Sequence, residues 1–458
     1  MPLTDEAEIE HYENTFRSTD RRDGIVQSVF TQFELPSHAS WFYVALCAAV
    51  ALFYQFPRPL AIRNFDLFGL FLFVPGLLLL DESRRQAAFA SARAVSRLQT
   101  AGYLVLVGAC IIWFVRCFYD LSVLKRARIA ANLTPAGLMW LSGALLIGLG
   151  VGAISRSEAR EASANFPGSA NLESGAAAHA SPPEFAIPSR GAQAVAIFCQ
   201  VVVVVLLLLI CRCHFQDTPA GTGTGLFYLL LPSTAYTFDQ PEHVWPAMLI
   251  LAAILSYRRA QWAGAWLGLA AGTAFFPLVL FPAWMQFYRG RGTLHFMRTF
   301  SLAGILGLGL HALLSILIGD AATEIWPRPN IADWQPWRVP SSQSLWTGTQ
   351  GAYRLPVFVA FVGLAIGAII WPVARNLGQL IALSAMLMMS LQFWLADGGG
   401  RYVTWFSPLL LLIAFRPTTL ELQPPVLADA RSWSSACYHW IQRRRLPRRP
   451  APVTGNLS

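Results

Sequence analysis

Charged residues are scarce in this sequence. Asp, Glu, Lys and Arg make up 13% of the chain, whereas a soluble domain usually carries about 25%. Hydrophobic residues make up 55%, so the composition excludes an ordinary soluble domain and predicts a surface that faces lipid. The net charge of +9 comes from arginine and lysine in the loops and the tail. Such a distribution indicates membrane topology and membrane lipids as partners, and no nucleic acid is expected.

Several catalytic signatures are missing. The sequence contains no Gly-x-x-x-x-Gly-Lys-Ser/Thr phosphate loop, no His-Glu-x-x-His zinc motif and no Gly-x-Ser-x-Gly nucleophile turn. The apolar segments carry almost no charge in their middles, which disfavours an ion-coupled transporter. Seven cysteines are present, most of them inside apolar segments, and an odd number of such cysteines does not predict a disulfide framework.

Long apolar segments are abundant instead. The segment from Ala192 to Cys211 contains no charged residue, and about 20 such residues are enough to cross the hydrocarbon core of a bilayer. Similar segments recur from Ala39 to Arg416. The sequence therefore predicts an all-α, polytopic transmembrane helical bundle with about 11–13 membrane helices.

Composition divides the chain into five parts. A stretch rich in Ala, Ser, Glu, Gly and Pro predicts a flexible linker, because it has too few large apolar residues to form a core. The predicted parts are a polar N-terminal head at 1–37, membrane helices at 38–154, the linker at 155–190, membrane helices at 191–416 with a tryptophan-rich outer loop at 319–354, and a basic tail at 417–458.

The distribution of arginine predicts the orientation. The tail carries Arg443, Arg444, Arg445, Arg448 and Arg449, so the positive-inside rule predicts a cytoplasmic C-terminus.

Two further segments have basic ends or faces. Residues 262–288 contain Pro277 and Pro282 and have arginines at both ends. A broken helix pair with both ends in the cytoplasm would satisfy the positive-inside rule there. Residues 81–100 carry four arginines among alanines, which predicts an interfacial helix with a basic face.

Polar residues with catalytic potential occur between apolar segments. Asp239, Glu242 and His243 lie in one short loop, and Asp397 and Arg401 lie in another. Acidic groups near a membrane face could act as a base or bind a divalent metal ion, and an arginine could bind a lipid phosphate. A structural interpretation is also open, because loops need polar residues and an acid favours the start of the next helix.

The second half of the chain resembles the central part of GT-C glycosyltransferases, and is most similar to bacterial members that use polyprenol-phosphate-mannose. The resembling features are a polar outer loop with Asp239, a basic turn at Arg258-Arg259, a helix with Ala-Gly-x-x-x-Gly, a proline-broken helix and a late Gly400-Arg401-Tyr402. The first loop, residues 57–64, departs from the family pattern because it is short and has no acid, and Asp66 is the acid nearest to it.

The resemblance implies a membrane enzyme that transfers a sugar from a lipid-phosphate donor at the outer face of a bacterial plasma membrane. Asp66 or Asp239 would be the catalytic base. Glu242, His243, Asp397 and Arg401 would bind the substrates, with Arg401 on the lipid phosphate. The alternative is a non-catalytic membrane protein, such as a lipid-binding scaffold, an assembly factor or a relative that has lost activity, and a transporter is the third hypothesis.

Overall fold

A computed structural model describes most of the chain. It covers residues 38–87, 91–122, 129–164, 190–318, 352–370, 376–395 and 402–416, together with residues 335, 337, 344–346 and 400. The predicted head at 1–37, most of the linker, most of the loop at 319–354, and the tail at 417–458 lie outside these residues.

The described residues form helices joined by short turns, without strands, so the all-α helical bundle is confirmed. Within the described ranges, six helices are long and apolar enough to cross a membrane, and five shorter apolar helices accompany them. The chain is a multi-pass integral membrane protein. The helices are α1 His38–Phe53, α2 Ile62–Phe71, α3 Phe73–Gln86, α4 Ala92–Ser122, α5 Pro135–Ala164, α6 Arg190–Cys213, α7 Thr218–Leu230, α8 Pro232–Tyr236, α9 Pro241–Leu255, α10 Ala260–Ala274, α11 Phe281–Phe287, α12 Thr293–Ile318, α13 Arg354–Ile370, α14 Leu377–Trp394 and α15 Val403–Phe415.

The bundle has two ends, which we name after Asp239 and Arg416. Helix α15 connects them. At its start, Oγ1 of Thr404 lies 3.4 Å from Oγ1 of Thr237, two residues before Asp239. At its other end, Arg416 forms an ion pair with Asp120 of α4. At about 1.5 Å of rise per residue, the two ends are about 18 Å apart.

Long-range hydrogen bonds give the direction of the N-terminal helices. The backbone oxygen of Leu52, near the end of α1, accepts a hydrogen bond of 2.7 Å from the backbone of Asn132. The backbone nitrogen of Ile129 donates to the oxygen of Ala414 near the end of α15, at 3.2 Å. Helix α1 therefore ends, and α5 begins, at the Arg416 end.

Two side-chain hydrogen bonds orient the C-terminal helices in the same way. Nε2 of Gln379, at the start of α14, donates to the backbone oxygen of Leu121 at the Arg416 end, at 3.0 Å. At the opposite end of α14, the oxygen of Trp394 accepts from Nε of Arg354, at 3.1 Å. Helix α13 therefore begins at the Asp239 end and runs antiparallel to α14.

The predicted broken helix pair near 262–288 is confirmed. Helix α10 stops at Ala274, and Phe275 adopts a φ of 60° that non-glycine residues rarely take. A 3₁₀ turn at Phe276–Leu280 and helix α11 then return the chain. The hydroxyl of Tyr288 donates to the backbone oxygen of Tyr257 at 2.6 Å, so this hairpin begins and ends at the Arg416 end.

Helices α10 and α12 pack in parallel along a stripe of glycines. A Cβ atom added at any of these glycines would overlap the backbone of α12, so the two helices approach as closely as their main chains allow. Successive glycines of α10 contact successively later residues of α12, which shows that the two helices run in the same direction. Gly264, Gly268 and Gly272 meet Phe296, Phe300 and Gly304 in that order.

A buried ion network joins α2, α4 and the end of α15. Nε and Nη2 of Arg116 donate to the two carboxylate oxygens of Asp66, at 2.8 and 3.2 Å. Nη1 of the same guanidinium donates to Asp120 at 3.1 Å, and Asp120 also binds Arg416. Two acids and two bases thus neutralise one another where unpaired charge would be costly.

Two segment predictions are corrected by the structure. Helix α5 continues to Ala164, so the first ten residues of the predicted linker, 155–164, belong to a helix. The segment predicted as one interfacial helix at 81–100 is not a single separate helix. Residues 81–86 form the end of α3 and residues 92–100 the start of α4.

The hairpin geometry makes a topology prediction. Single cysteines replacing Arg259 and Arg289, both exposed, are expected to react with a membrane-impermeant maleimide from the same side of a sealed vesicle. The parental chain should be labelled in parallel, because Cys47 and Cys213 are also exposed. Labelling of the two positions from opposite sides would show that the segment crosses the membrane once.

Candidate functional site

Asp239, Glu242 and His243 lie together at the Asp239 end, where the chain turns from α8 into α9. Asp239 and His243 are buried, and Glu242 lies in the first turn of α9, where the helix dipole favours an acid. Nε2 of His243 is 3.3 Å from Oε1 of Glu242. Thr237 ties this turn to the start of α15 through its contact with Thr404.

Several buried polar atoms at this turn make no hydrogen bond within the described part of the chain. They are Oε1 of Gln240, both ring nitrogens of His243 and Nε1 of Trp405. A buried polar group without a partner is costly, so a cluster of such groups suits a polar ligand such as a sugar or a phosphate. The 3.3 Å contact between Glu242 and His243 lacks hydrogen-bond geometry, and we therefore treat it as electrostatic.

An aromatic wall borders the cluster. The ring of Trp405 stacks on Phe276 with a centroid distance of 3.5 Å and an interplanar angle of 4°. Tyr402 and His243 approach the same indole at 4.3 and 6.3 Å. Phe276 follows the residue with positive φ, so the tip of the α10–α11 hairpin forms part of the wall.

Asp66 does not belong to this site. It lies at the Arg416 end, buried against Arg116, about 18 Å along the bundle from the turn at Asp239. Both of its carboxylate oxygens accept hydrogen bonds from the Arg116 guanidinium, which suits a structural role in the ion network. The sequence placed Asp66 and Asp239 as alternative bases, and the structure separates them.

Asp397 and Arg401 lie outside the described residues. Their neighbours Gly400 and Tyr402 are described. Gly400 has a φ of 78°, and a Cβ there would lie 2.5 Å from Leu106 of α4. Tyr402 contacts Trp405, so these two neighbours lie between α4 and the cluster at Asp239.

An apolar groove of about 810 Å³ opens between α4, α13 and α14. Its α4 wall is formed by Thr100, Leu104, Val107, Ile111 and Phe114, which recur every three or four residues and so share one helix face. Tyr353 and Trp346 line its part nearest the Asp239 end. The groove extends along about 21 Å of α4, a length suited to a lipid chain.

Arg97 is a candidate residue that sequence reasoning did not identify. It is exposed and precedes Thr100 by three and Leu104 by seven residues, so it lies on the groove face of α4, one turn further than Thr100 from the Arg416 end. A guanidinium in this position suits the phosphate of a lipid whose chain occupies the groove. The three- and four-residue spacing from Arg97 to Phe114 could be recognised in the sequence. Only the packing of α13 and α14 shows that this helix face lines a groove.

The Asp239 end therefore combines an acid, a histidine beside Glu242, an aromatic wall and part of an apolar groove. The described residues contain no group of three or more His, Cys, Asp or Glu side chains that could hold a metal ion. No protein-family model, curated protein or solved structure matches this chain.

Proposed function

We propose that this protein is a membrane transferase that takes a sugar from a lipid-phosphate donor at the Asp239 end. The observation that carries the proposal is the position of the apolar groove. Its lining residue Tyr353 precedes Arg354, which binds Trp394 at the same end of the bundle as the buried turn at Asp239, Glu242 and His243. The lipid chain would lie in the groove, with its phosphate near Arg97 and its sugar directed to the turn. The resemblance to GT-C enzymes supports the same reaction.

The chemistry follows from the groups at the turn. The oxygen of an acceptor hydroxyl would attack the anomeric carbon of the donor, and the bond between that carbon and the phosphate oxygen would break. The proton of the hydroxyl would pass to Asp239, and the lipid phosphate would leave with the bonding electrons. Arg97 and Arg401 are the proposed phosphate ligands, because a guanidinium binds phosphate through two parallel hydrogen bonds.

The orientation belongs to the same proposal. Exposed arginines lie at both ends, with Arg85, Arg93, Arg97 and Arg190 at the Asp239 end. The basic sequence of the tail that follows Arg416 is therefore our reason for placing the Arg416 end in the cytoplasm of a bacterial cell. The Asp239 end would then face outward, where lipid-linked sugars are used. The exposed arginines at the Arg416 end include Arg58, Arg212, Arg258, Arg259 and Arg289.

The test is a transfer assay with purified protein in nanodiscs and a fluorescent polyprenyl-phosphate sugar as donor. Asp239→Asn is expected to lower the transfer rate about a hundredfold or more while donor binding stays unchanged. Glu82→Gln is the matched control, because Glu82 is an exposed acid on α3 and also lies at the Asp239 end of the bundle. Equal transfer by wild type and Asp239→Asn would refute Asp239 as the base.

Lipid binding without catalysis is the second candidate. It is favoured by the lining of the groove, which is almost wholly apolar, with Thr100 and Ser390 among its few polar residues. In that case the donor would bind, Arg97→Gln would weaken its binding, and no sugar would be transferred to any acceptor.

A further inference from the structure

One long stretch of the chain carries positive charge without any acid. No Asp or Glu occurs between Glu242 and Asp320, whereas the same stretch contains five arginines. These are Arg258, Arg259, Arg289, Arg291 and Arg298, and we call them together the hairpin base. The stretch includes the α10–α11 hairpin and helix α12.

The fold brings the hairpin base together at the Arg416 end. Arg258 and Arg259 follow Tyr257, and Arg289 follows Tyr288, whose hydroxyl donates to the oxygen of Tyr257 at 2.6 Å. The backbone of Arg291 donates to the oxygen of Tyr288 at 2.8 Å. Two separate segments thus place their arginines on either side of one hydrogen bond.

Arg298 extends this charge onto the outer face of α12. It is exposed and lies two residues after Phe296, which packs against Gly264 near the start of α10. Leu302 and Ile305, one and two turns further along the same face, are both 68% exposed. An exposed arginine followed by exposed leucine and isoleucine is the pattern of a helix that crosses from lipid headgroups into lipid chains.

The positive charge also acts on a neighbouring helix end. His214, just after α6, lies with Nε2 2.8 Å from the backbone oxygen of Leu255. Burial lowers the pKa of this histidine, and the nearby charge of Arg258 lowers it further. The charge of Arg258 therefore reaches one side chain outside the hairpin.

We infer that the hairpin base binds an anionic phospholipid, with the phosphate headgroup on its arginines and the chains along the outer face of α12. Charge complementarity identifies the occupant, because the exposed apolar column beside the arginines requires a ligand with both a negative head and apolar chains. This site lies at the opposite end of the bundle from the proposed transferase site and does not depend on that activity.

The test is native mass spectrometry of the full chain in neutral detergent with equal amounts of phosphatidylglycerol and phosphatidylcholine. Wild type is expected to retain phosphatidylglycerol in preference, and rising salt should weaken this preference. Arg258→Gln/Arg259→Gln is expected to reduce phosphatidylglycerol binding about 30-fold and to leave phosphatidylcholine binding unchanged. Arg84→Gln/Arg85→Gln is the control, since it removes an adjacent arginine pair at the other end of the bundle.

Three results would overturn the inference. The first is equal retention of the two lipids by wild type, and the second is an equal loss in the control pair. The third is displacement of phosphatidylglycerol by inorganic phosphate at matched concentration, which would indicate a site for a free anion. If the double variant does not fold, retention of phosphatidylglycerol and phosphatidylcholine is compared instead in the single variant Arg289→Gln and in wild type at rising salt.

Discussion

The substitution Gly268→Leu is expected to lower the free energy of unfolding by about 3 kcal/mol or more, at the upper end of the range for overpacked cores. Gly268 lies in the middle of the stripe where α10 meets α12, and even a single Cβ there would overlap the backbone oxygen and carbon of Phe300. A backbone cannot rotate away as a flexible side chain can, so the two helices would have to separate along their whole contact.

The measurement is the thermal unfolding midpoint in detergent, followed by intrinsic tryptophan fluorescence. Gly309→Leu is the matched control, because Gly309 lies on α12 but has no atom within 4 Å of an added Cβ. Similar midpoints for the two variants would show that close contact between α10 and α12 does not stabilise the fold.

The substitution Arg116→Met is expected to lower the free energy of unfolding by about 3–5 kcal/mol, the usual effect of removing one partner from a buried ion pair. The substitution would leave the Asp66 carboxylate without the bidentate contact that it makes at 2.8 and 3.2 Å. Asp120 would keep Arg416, so the loss should come mainly from Asp66.

The double variant Asp66→Leu/Arg116→Met provides the control. It removes both charges of the pair and is expected to recover most of the stability, because replacing a buried ion pair by apolar residues is often neutral. The same variant tests the assignment of Asp66 as structural, since it should retain lipid-linked transfer if Asp239 is the base. A double variant as unstable as Arg116→Met would show that Asp66 is not the group left uncompensated.

The broken helix pair was predictable from the sequence because its signals are local. Pro277 and Pro282 interrupt an apolar segment, and arginines flank that segment on both sides. Proline breaks the hydrogen-bond ladder wherever it occurs, and the charge rule needs only the order of residues. Neither signal depends on a distant part of the chain.

The ion network and the glycine contact were not predictable in the same way. Arg116 pairs with Asp66 across fifty residues, and the sequence alone gives no reason to prefer this partner. The spacing of Gly264 and Gly268 indicates a helix that packs closely, but not that its partner is α12 or that the two run in parallel.

The candidate site shows the same division. Asp239, Glu242 and His243 are neighbours in the sequence, so their proximity was predictable. The wall formed by Trp405 and Phe276, and the groove beside Arg97, depend on how α4, α10 and α15 pack. The separation of Asp66 from Asp239 was not predictable, because nearness to the first loop does not determine at which end of the bundle that loop lies.

The parallel pairing of α10 and α12 constrains the order of events during synthesis. The glycine face of α10 leaves the ribosome before its partner, and two parallel neighbours cannot insert as a simple helical hairpin. The chain must first fold back through Phe275 and α11 to the side from which it entered, and only then can α12 cover the glycines. The glycine face of α10 therefore stays without its final partner until the residues up to about Gly304 have been synthesised.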